Sequence, residues 1–156
     1  MKKIKLYGTL IIIVFIIYIV CLSYISIQTN KHSYRIMISA DQLMYEALLQ
    51  DKDKQLYVPI AIENKSNRLI SSNKNISMGY HLYSVDNDNK QTMISWDNTL
   101  TNIDDIFNNE TGICNVALTI PDKVGIYIYY IDVLETGKCW FSEKGVLTIP
   151  ITVEVK

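Results

Sequence analysis

The chain has 156 residues, of which 49% are hydrophobic and 20% are charged. This length allows one compact domain with a short appendage, and the composition excludes a disordered tail or a low-complexity linker. Fifteen Lys and Arg residues against 16 Asp and Glu residues give a net charge of -1. That balance argues against a general nucleic-acid binder. The averages conceal a split, because every acidic residue falls in residues 28–156.

An uncharged run over residues 7–27 predicts a membrane-spanning helix. At ~1.5 Å per residue its length is about 31 Å, which matches the hydrocarbon core of a bilayer. Three of the first five residues are lysines. The positive-inside rule therefore places residues 1–6 in the cytoplasm as a basic tail and residues 28–156 on the other side. The sequence thus predicts a single-pass protein of the cell membrane.

Two alternatives to this uncleaved signal anchor stay open. A cleaved signal peptide would have a shorter apolar region that ends at a small-x-small site, whereas this run leaves through Tyr24, Ile25 and Ile27. A lipidated Cys21 would normally follow a small residue, and Val20 stands there instead.

Residues 28–50 are predicted to form a stalk. Within it, residues 34–38 are either a short strand or part of the stalk itself. A short helix is expected near residues 40–50. The sequence S-A-D-Q at 39–42 fits a capping box there, and Leu43, Met44, Ala47 and Leu48 recur at helical spacing.

Beyond residue 50, apolar runs bounded by turn clusters predict strands. We expect these strands at residues 55–63, 76–85, 92–96, 113–120 and 125–134, with one or two more between 140 and 155. Turn signals that recur about every 8–12 residues are typical of an antiparallel sandwich. The fold predicted for residues 51–156 is therefore an all-β, immunoglobulin-like antiparallel β-sandwich of about seven strands.

Little in this domain supports catalysis or a bound metal. His81 is the only candidate base and lies in the middle of a strand. Asp104 and Asp105 would point in opposite directions on an extended chain. The D-N-D-N turn at 86–89 lacks the glycine and glutamate of a calcium loop. We predict no enzymatic activity, no metal and no cofactor.

Two cysteines lie in this domain, Cys114 and Cys139. Outside the cytoplasm they could form a disulfide, or each could be a small buried side chain. The sequence leaves this choice open.

The aromatic residues are the strongest functional signal, since aromatic rings pack against the C–H faces of sugars. The predicted ligand-binding residues are Tyr80, His81, Tyr83, Trp96, Tyr130 and Trp140. Phe141 and Asp132 are predicted to be structural. The Asp132 carboxylate in an apolar strand requires hydrogen-bond donors, for which Trp140, Thr99 or nearby backbone are the candidates.

Four motifs in this order resemble one known family. They are V-P-I-A-I-E-N-K-S at 58–66, S-M-G-Y-H-L-Y at 77–83, P-D-K-V-G-I-Y-I-Y-Y-I-D-V at 121–133 and C-W-F-S-E-K-G at 139–145. The family is a bacterial Ig-like β-sandwich accessory domain found with glycosyltransferases and methyltransferases of surface-polysaccharide loci. Its Arg-Thr-x-Leu segment is only approximated by Asn98-Thr99-Leu100. The resemblance implies an accessory, glycan-associated module rather than an enzyme.

Together these features predict a membrane-anchored, extracytoplasmic, non-catalytic module that binds glycan or assists surface-polysaccharide assembly. The alternative is a structural or interaction subunit that docks a membrane-bound enzyme. The expected partners are membrane lipid, through residues 7–27, and either a polysaccharide or a glycosyltransferase-type membrane enzyme. No nucleic-acid partner is expected.

Overall fold

The computed structural model describes residues 16–22, 34–51, 54–96 and 98–156. Residues 16–22 are helical and exposed. Among the described residues, no helix has both the length and the apolar character needed to cross a membrane. The predicted tail at residues 1–6 lies outside this part of the chain, as does most of the predicted anchor.

The remaining described residues form ten strands in two sheets. In chain order the strands are β1 (Ile36–Ser39), β2 (Met44–Ala47), β3 (Gln55–Asn64), β4 (Ile76–Val85), β5 (Gln91–Ser95), β6 (Thr101–Asn102), β7 (Thr111–Thr119), β8 (Gly125–Glu135), β9 (Cys139–Trp140) and β10 (Ile149–Val155). One sheet has the order β1-β3-β7, and the larger has the order β2-β10-β8-β4-β5, with β6 beside β4 and β9 beside β8. Only the pairing of β2 with β10 is parallel. The structure thus confirms an all-β sandwich.

The core lies between the two sheets, because each long strand sends alternate side chains inward. Val58, Ile60 and Ile62 of β3 are fully buried, and so are Tyr129 and Ile131 of β8. The strand β8 lies in the middle of the larger sheet, between β10 and β4, and its side chains alternate between the core and the outer face of that sheet.

Two tyrosines join the sheets at one residue of β7. The Tyr129 hydroxyl donates to the Thr119 carbonyl at 2.8 Å, and the Tyr80 hydroxyl accepts from the Thr119 backbone N–H at 3.2 Å. Their rings meet edge to face, with centroids 5.1 Å apart. Burial raises the pKa of Tyr129 above its usual value, so this hydroxyl keeps its proton and remains a donor. The paired bonds allow two polar groups to sit in the core.

The helix predicted near residues 40–50 is wrong. Met44–Ala47 is a strand, and Leu49–Asp51 is a single turn of 3-10 helix. Of the four apolar residues at helical spacing, only Ala47 is buried. Hydrogen bonds with the distant β10 segment, such as Thr152 N–H to the Leu43 carbonyl at 2.8 Å, replace the local helical bonds. This non-local pairing overrides a weak local preference.

The segment predicted as a stalk belongs to the sandwich over its described part. The strand β1 pairs antiparallel with β3, and β2 pairs with β10. Ile36 and Ala47 are both buried in the shared core. The sandwich therefore begins well before residue 51.

Tyr34 lies beside a buried carboxylate, that of Glu135. Glu135, the last residue of β8, accepts from the Arg68 guanidinium at 2.8 Å, from the Lys138 ammonium at 2.5 Å and from the Tyr34 hydroxyl at 3.3 Å. The Tyr34 ring packs edge to face on Phe141, with centroids 4.9 Å apart. Phe141 is fully buried, as its predicted structural role requires.

Candidate functional site

Strand alternation divides the predicted aromatic residues between two faces. In β4, Tyr80 points into the core, whereas His81 and Tyr83 occupy the opposite, outer face of the larger sheet. In β8, Tyr129 is in the core and Tyr130 is on that outer face. Tyr80 is only 1% exposed and is a core residue, so its predicted contact with a ligand is wrong.

The other five predicted residues lie together on the outer face of the larger sheet. We call this set the aromatic face, and its members are His81, Tyr83, Trp96, Tyr130 and Trp140. His81 lies opposite Tyr130 in the β4–β8 pairing. The structure thus groups residues that come from four separate chain segments.

A stack of three rings forms the centre of the aromatic face. His81 stacks on Trp96 with centroids 4.0 Å apart, and it meets Trp140 edge to face at 4.5 Å. His81 and Trp140 are nearly buried, at 3% and 5% exposure, whereas Trp96 is 42% exposed. The Trp96 indole is therefore the part of the stack that a ligand can reach.

Tyr83 and Tyr130 extend the aromatic face beside this stack. Their rings meet edge to face with centroids 5.4 Å apart, and the Tyr130 hydroxyl donates to the Gln91 side chain at 3.0 Å. The β4–β5 register shifts between Leu82 and Tyr83. Such an irregularity is a common way to redirect side chains next to a site.

His81 is held between two acceptors. Its Nδ1 lies 2.6 Å from the Trp96 carbonyl, and its Nε2 lies 3.3 Å from the Asp132 carboxylate. A carbonyl can only accept, so Nδ1 must carry a proton. A ring protonated on both nitrogens satisfies both contacts, and it then forms a buried ion pair with Asp132.

The Asp132 carboxylate also accepts from backbone. Its Oδ1 receives the N–H groups of Val133 at 2.7 Å and Ser142 at 3.2 Å. The structural role predicted for Asp132 agrees with these contacts, and the backbone donors are among the candidates the sequence suggested. The imidazole of His81 is a partner that sequence reasoning missed.

Gly79 gives Trp140 its position on the aromatic face. A Cβ at Gly79 would lie 2.8 Å from the Trp140 ring, closer than real contacts allow, and 3.0 Å from the Leu100 side chain. The missing side chain therefore lets the Trp140 ring approach the backbone of β4 closely.

A cleft of about 410 Å³ adjoins the aromatic face at Trp140. Leu100, Leu134 and Trp140 supply apolar lining, and Lys138 and Glu143 supply charges of opposite sign. Such a mixture of apolar wall and a few polar groups is typical of small-ligand sites. Sequence reasoning missed this cleft because residues 98–100 meet residues 134–143 only in the folded sheet.

The cysteines are not joined. Cys114 and Cys139 are both free thiols. Burial and the nearby charge of Asp104 raise the pKa of the Cys114 thiol to about 11. Within the described residues, no group of three His, Cys, Asp or Glu side chains could hold a metal ion.

The geometry defines the protein's class as a two-sheet β-sandwich with an aromatic outer face. No family model and no curated protein matches the chain. Solved structures match it at low similarity. An alkylpurine DNA glycosylase from Pseudomonas fluorescens has 9% identity and a TM-score of 0.47, covering 78% of this chain and 30% of that one. The chain thus spans about a third of the length of that protein.

Two isolated domains also match. The PapD-like domain 7 of human CEP192 has 10% identity and a TM-score of 0.40, covering 80% of this chain and 85% of that one. A CARDB domain from Pyrococcus furiosus, solved with metal ions, has 11% identity and a TM-score of 0.42, covering 78% and 85%. At these scores the likeness carries no argument about function, and the fold assignment rests on the sheets described above.

Proposed function

We propose that the chain is a membrane-anchored, extracytoplasmic, non-catalytic β-sandwich module of the immunoglobulin-like type that binds glycan or assists surface-polysaccharide assembly. The observation that carries the proposal is the aromatic face, where Trp96 is 42% exposed and its ring stacks on the nearly buried His81 ring. A resemblance over residues 58–145 to accessory domains of surface-polysaccharide loci points to the same ligand class.

The aromatic face has the properties that sugar binding needs. The exposed Trp96 indole offers an apolar ring surface for sugar C–H groups. Stacking on the His81 ring holds the indole in position. Tyr83 and Tyr130 are half-buried beside it and present hydroxyl groups. The neighbouring cleft with Lys138 and Glu143 can accept a further residue of an extended glycan.

The contacts of His81 support a non-catalytic role. Both ring nitrogens make hydrogen bonds within the protein, and the side chain is only 4% exposed. A general base must reach the proton that it removes from the substrate. The His81–Asp132 pair is better placed to hold Trp96 and β8 than to transfer protons.

Replacing Trp96 with alanine tests the proposal directly. The variant keeps the carbonyl that His81 contacts, so the sandwich should remain folded. We expect retention of the bound glycan to weaken by at least about fivefold, which corresponds to the ~1 kcal/mol of one aromatic contact. The measurement is a glycan-array screen of the full chain in mild detergent, repeated with Trp96→Ala and Tyr83→Ala.

Tyr57→Ala is the matched control, because Tyr57 is an aromatic residue that is 60% exposed on the other sheet. It should leave glycan retention unchanged. If Trp96→Ala and Tyr83→Ala both lower the melting temperature of the sandwich, their loss of binding reflects unfolding. The aromatic face is then structural, and the proposal fails.

A separate observation favours the docking alternative. The outer face of the smaller sheet exposes three large apolar side chains, Met37 at 63%, Tyr57 at 60% and Ile113 at 71%. Apolar clusters of this kind mark protein contacts. If the chain is a docking subunit, a membrane enzyme should co-purify with it in mild detergent, and Ile113→Lys should abolish the co-purification. A folded chain that binds no glycan and retains such an enzyme would replace our first proposal with the second.

A further inference from the structure

The His81 ring holds the aromatic face from a nearly buried position, at 3% exposure. Its Nδ1 lies 2.6 Å from the Trp96 carbonyl, and its Nε2 lies 3.3 Å from Oδ2 of Asp132. A neutral ring has a single N–H, so it can donate to one of these two acceptors but not to both. The two contacts therefore require a second proton in the His81–Asp132 pair.

Loss of that second proton sets two lone pairs against each other. With the remaining proton on Nδ1, the Nε2 lone pair faces the carboxylate, and with it on Nε2, the Nδ1 lone pair faces the Trp96 carbonyl. Asp132 has no exposed surface, and its Oδ1 accepts the backbone N–H groups of Val133 and Ser142. The carboxylate is thus fixed on both sides, whereas Trp96 is 42% exposed and can move. The contact that is lost on deprotonation is therefore the one with Trp96.

Trp96 depends on the His81 ring in two ways. Its carbonyl faces Nδ1, and its indole stacks on the imidazole with centroids 4.0 Å apart and planes 24° from parallel. Trp96 directly follows β5, which ends the order β2-β10-β8-β4-β5 of the larger sheet. Loss of the Nδ1 contact therefore loosens the ring of the stack that a ligand can reach.

The groups around His81 leave Asp132 as the charge that faces Nε2. The strand β5 contributes no titratable side chain. Besides Asp132, the titratable side chains on the described elements around the ring are Tyr83, Tyr130, Lys138, Cys139 and Glu143. The Tyr130 hydroxyl donates to Gln91 at 3.0 Å, and the Lys138 ammonium donates to Glu135 at 2.5 Å. The proton dependence of the contact at Nε2 therefore rests on the His81–Asp132 pair.

We infer that the His81–Asp132 pair is a pH-dependent support of Trp96, which holds the aromatic face in its binding arrangement only while the pair carries its second proton. The supported arrangement binds one more proton than the loosened one, so a rise in pH favours loosening. Glycan retention should therefore fall as the pH rises through the titration of the pair. This consequence for glycan rests on the proposed function, whereas the change in the exposure of Trp96 does not.

The test uses the full chain in mild detergent over a series of pH values. The titration of the His81 imidazole is followed by NMR, and the exposure of the indoles is followed by acrylamide quenching of tryptophan fluorescence. Both tryptophans of the chain contact the His81 ring, so their emission reports on this site. We expect quenching to increase with the same midpoint as the imidazole titration. On a glycan array run below and above that midpoint, retention should fall by about fivefold or more, as the loss of one buried hydrogen bond implies.

Asp132→Asn should remove the pH dependence and keep the supported arrangement. The amide oxygen can accept from the backbone N–H groups, and the amide N–H can donate to Nε2 of a neutral ring, so no second proton is needed. Quenching and retention should then stay at their acid-side values throughout. Glu135→Gln is the matched control, because it makes the same exchange at another buried carboxylate of β8. It should keep the wild-type transition.

Two results would overturn the inference. Quenching that stays constant while the His81 imidazole titrates in the wild type would show that the pair does not support Trp96, and this result needs no variant to fold. A wild-type transition that persists in a folded Asp132→Asn protein would assign the pH dependence to another group. In both cases, glycan retention on the array would leave the proposed function intact. A quenching transition that Asp132→Asn removes, in a chain that retains no glycan at any pH, would support the inference and refute the proposed function.

Discussion

Replacing Asp132 with alanine is expected to lower the free energy of unfolding by about 3–5 kcal/mol, because each buried hydrogen-bonding group left without a partner costs ~1–3 kcal/mol. The variant leaves His81 and the backbone N–H groups of Val133 and Ser142 without their acceptor. Because Asp132 has no exposed surface, water cannot replace the lost contacts. The measurement is urea unfolding of the full chain in mild detergent, followed by tryptophan fluorescence.

Two further variants keep this prediction open to refutation. Asp132→Asn removes the charge but retains an oxygen that can accept from the backbone N–H groups. Its free energy of unfolding should therefore fall less than that of the alanine variant. Asp88→Ala removes an exposed carboxylate in the β4–β5 turn and should change stability by no more than about 0.5 kcal/mol. An alanine variant at Asp132 that unfolds at the wild-type urea concentration would show that the pair contributes nothing.

The second large effect is a loss of stability in acid that depends on Glu135. Burial alone would raise the pKa of this carboxyl, but the hydrogen bonds and charges of Arg68 and Lys138 outweigh it and lower the pKa from 4.5 to about 2. A carboxyl whose pKa is lower in the folded state stabilises the fold above its unfolded pKa. That contribution, roughly 3 kcal/mol, is lost as the pH falls from about 5 towards 2.

The matched experiment compares the pH dependence of unfolding in the wild type, Glu135→Gln and Glu143→Gln. Glu135→Gln should lose less stability between pH 5 and pH 2 than the wild type, because the titrating group is absent. Glu143→Gln removes an exposed carboxylate and should follow the wild type. Parallel curves for all three proteins would refute the role of the Arg68–Glu135–Lys138 cluster.

The two clusters in these predictions hold the aromatic face and the residues around Tyr34 in place. Asp132 fixes His81, which carries the exposed Trp96 ring of the aromatic face. Glu135 accepts a hydrogen bond from Tyr34, whose ring packs on the buried Phe141. Damage to the Asp132 cluster should therefore shift the Trp96 ring as well as lower stability, so variants made to test glycan binding have to be checked for folding.

Local patterns were sufficient to predict the long strands. The expected strand at 76–85 coincides with β4, and those expected at 55–63 and 125–134 differ from β3 and β8 by one residue at an end. Alternating apolar residues and flanking turn residues carry this information within a few positions. The same local signal failed at residues 40–50, because a distant strand supplies the hydrogen bonds of β2.

By itself, the sequence determined the β-class of the domain, the positions of its main strands and the alternation that places Tyr80 and His81 on opposite faces. Only the tertiary structure decided which of those faces is the core, since alternation is symmetrical until the second sheet covers one side. It also decided that Trp96 and Trp140 meet at His81, and that Tyr34 reaches Glu135 across 101 positions of sequence. Contacts between distant segments depend on how strands pair and sheets pack, which no short stretch of residues encodes.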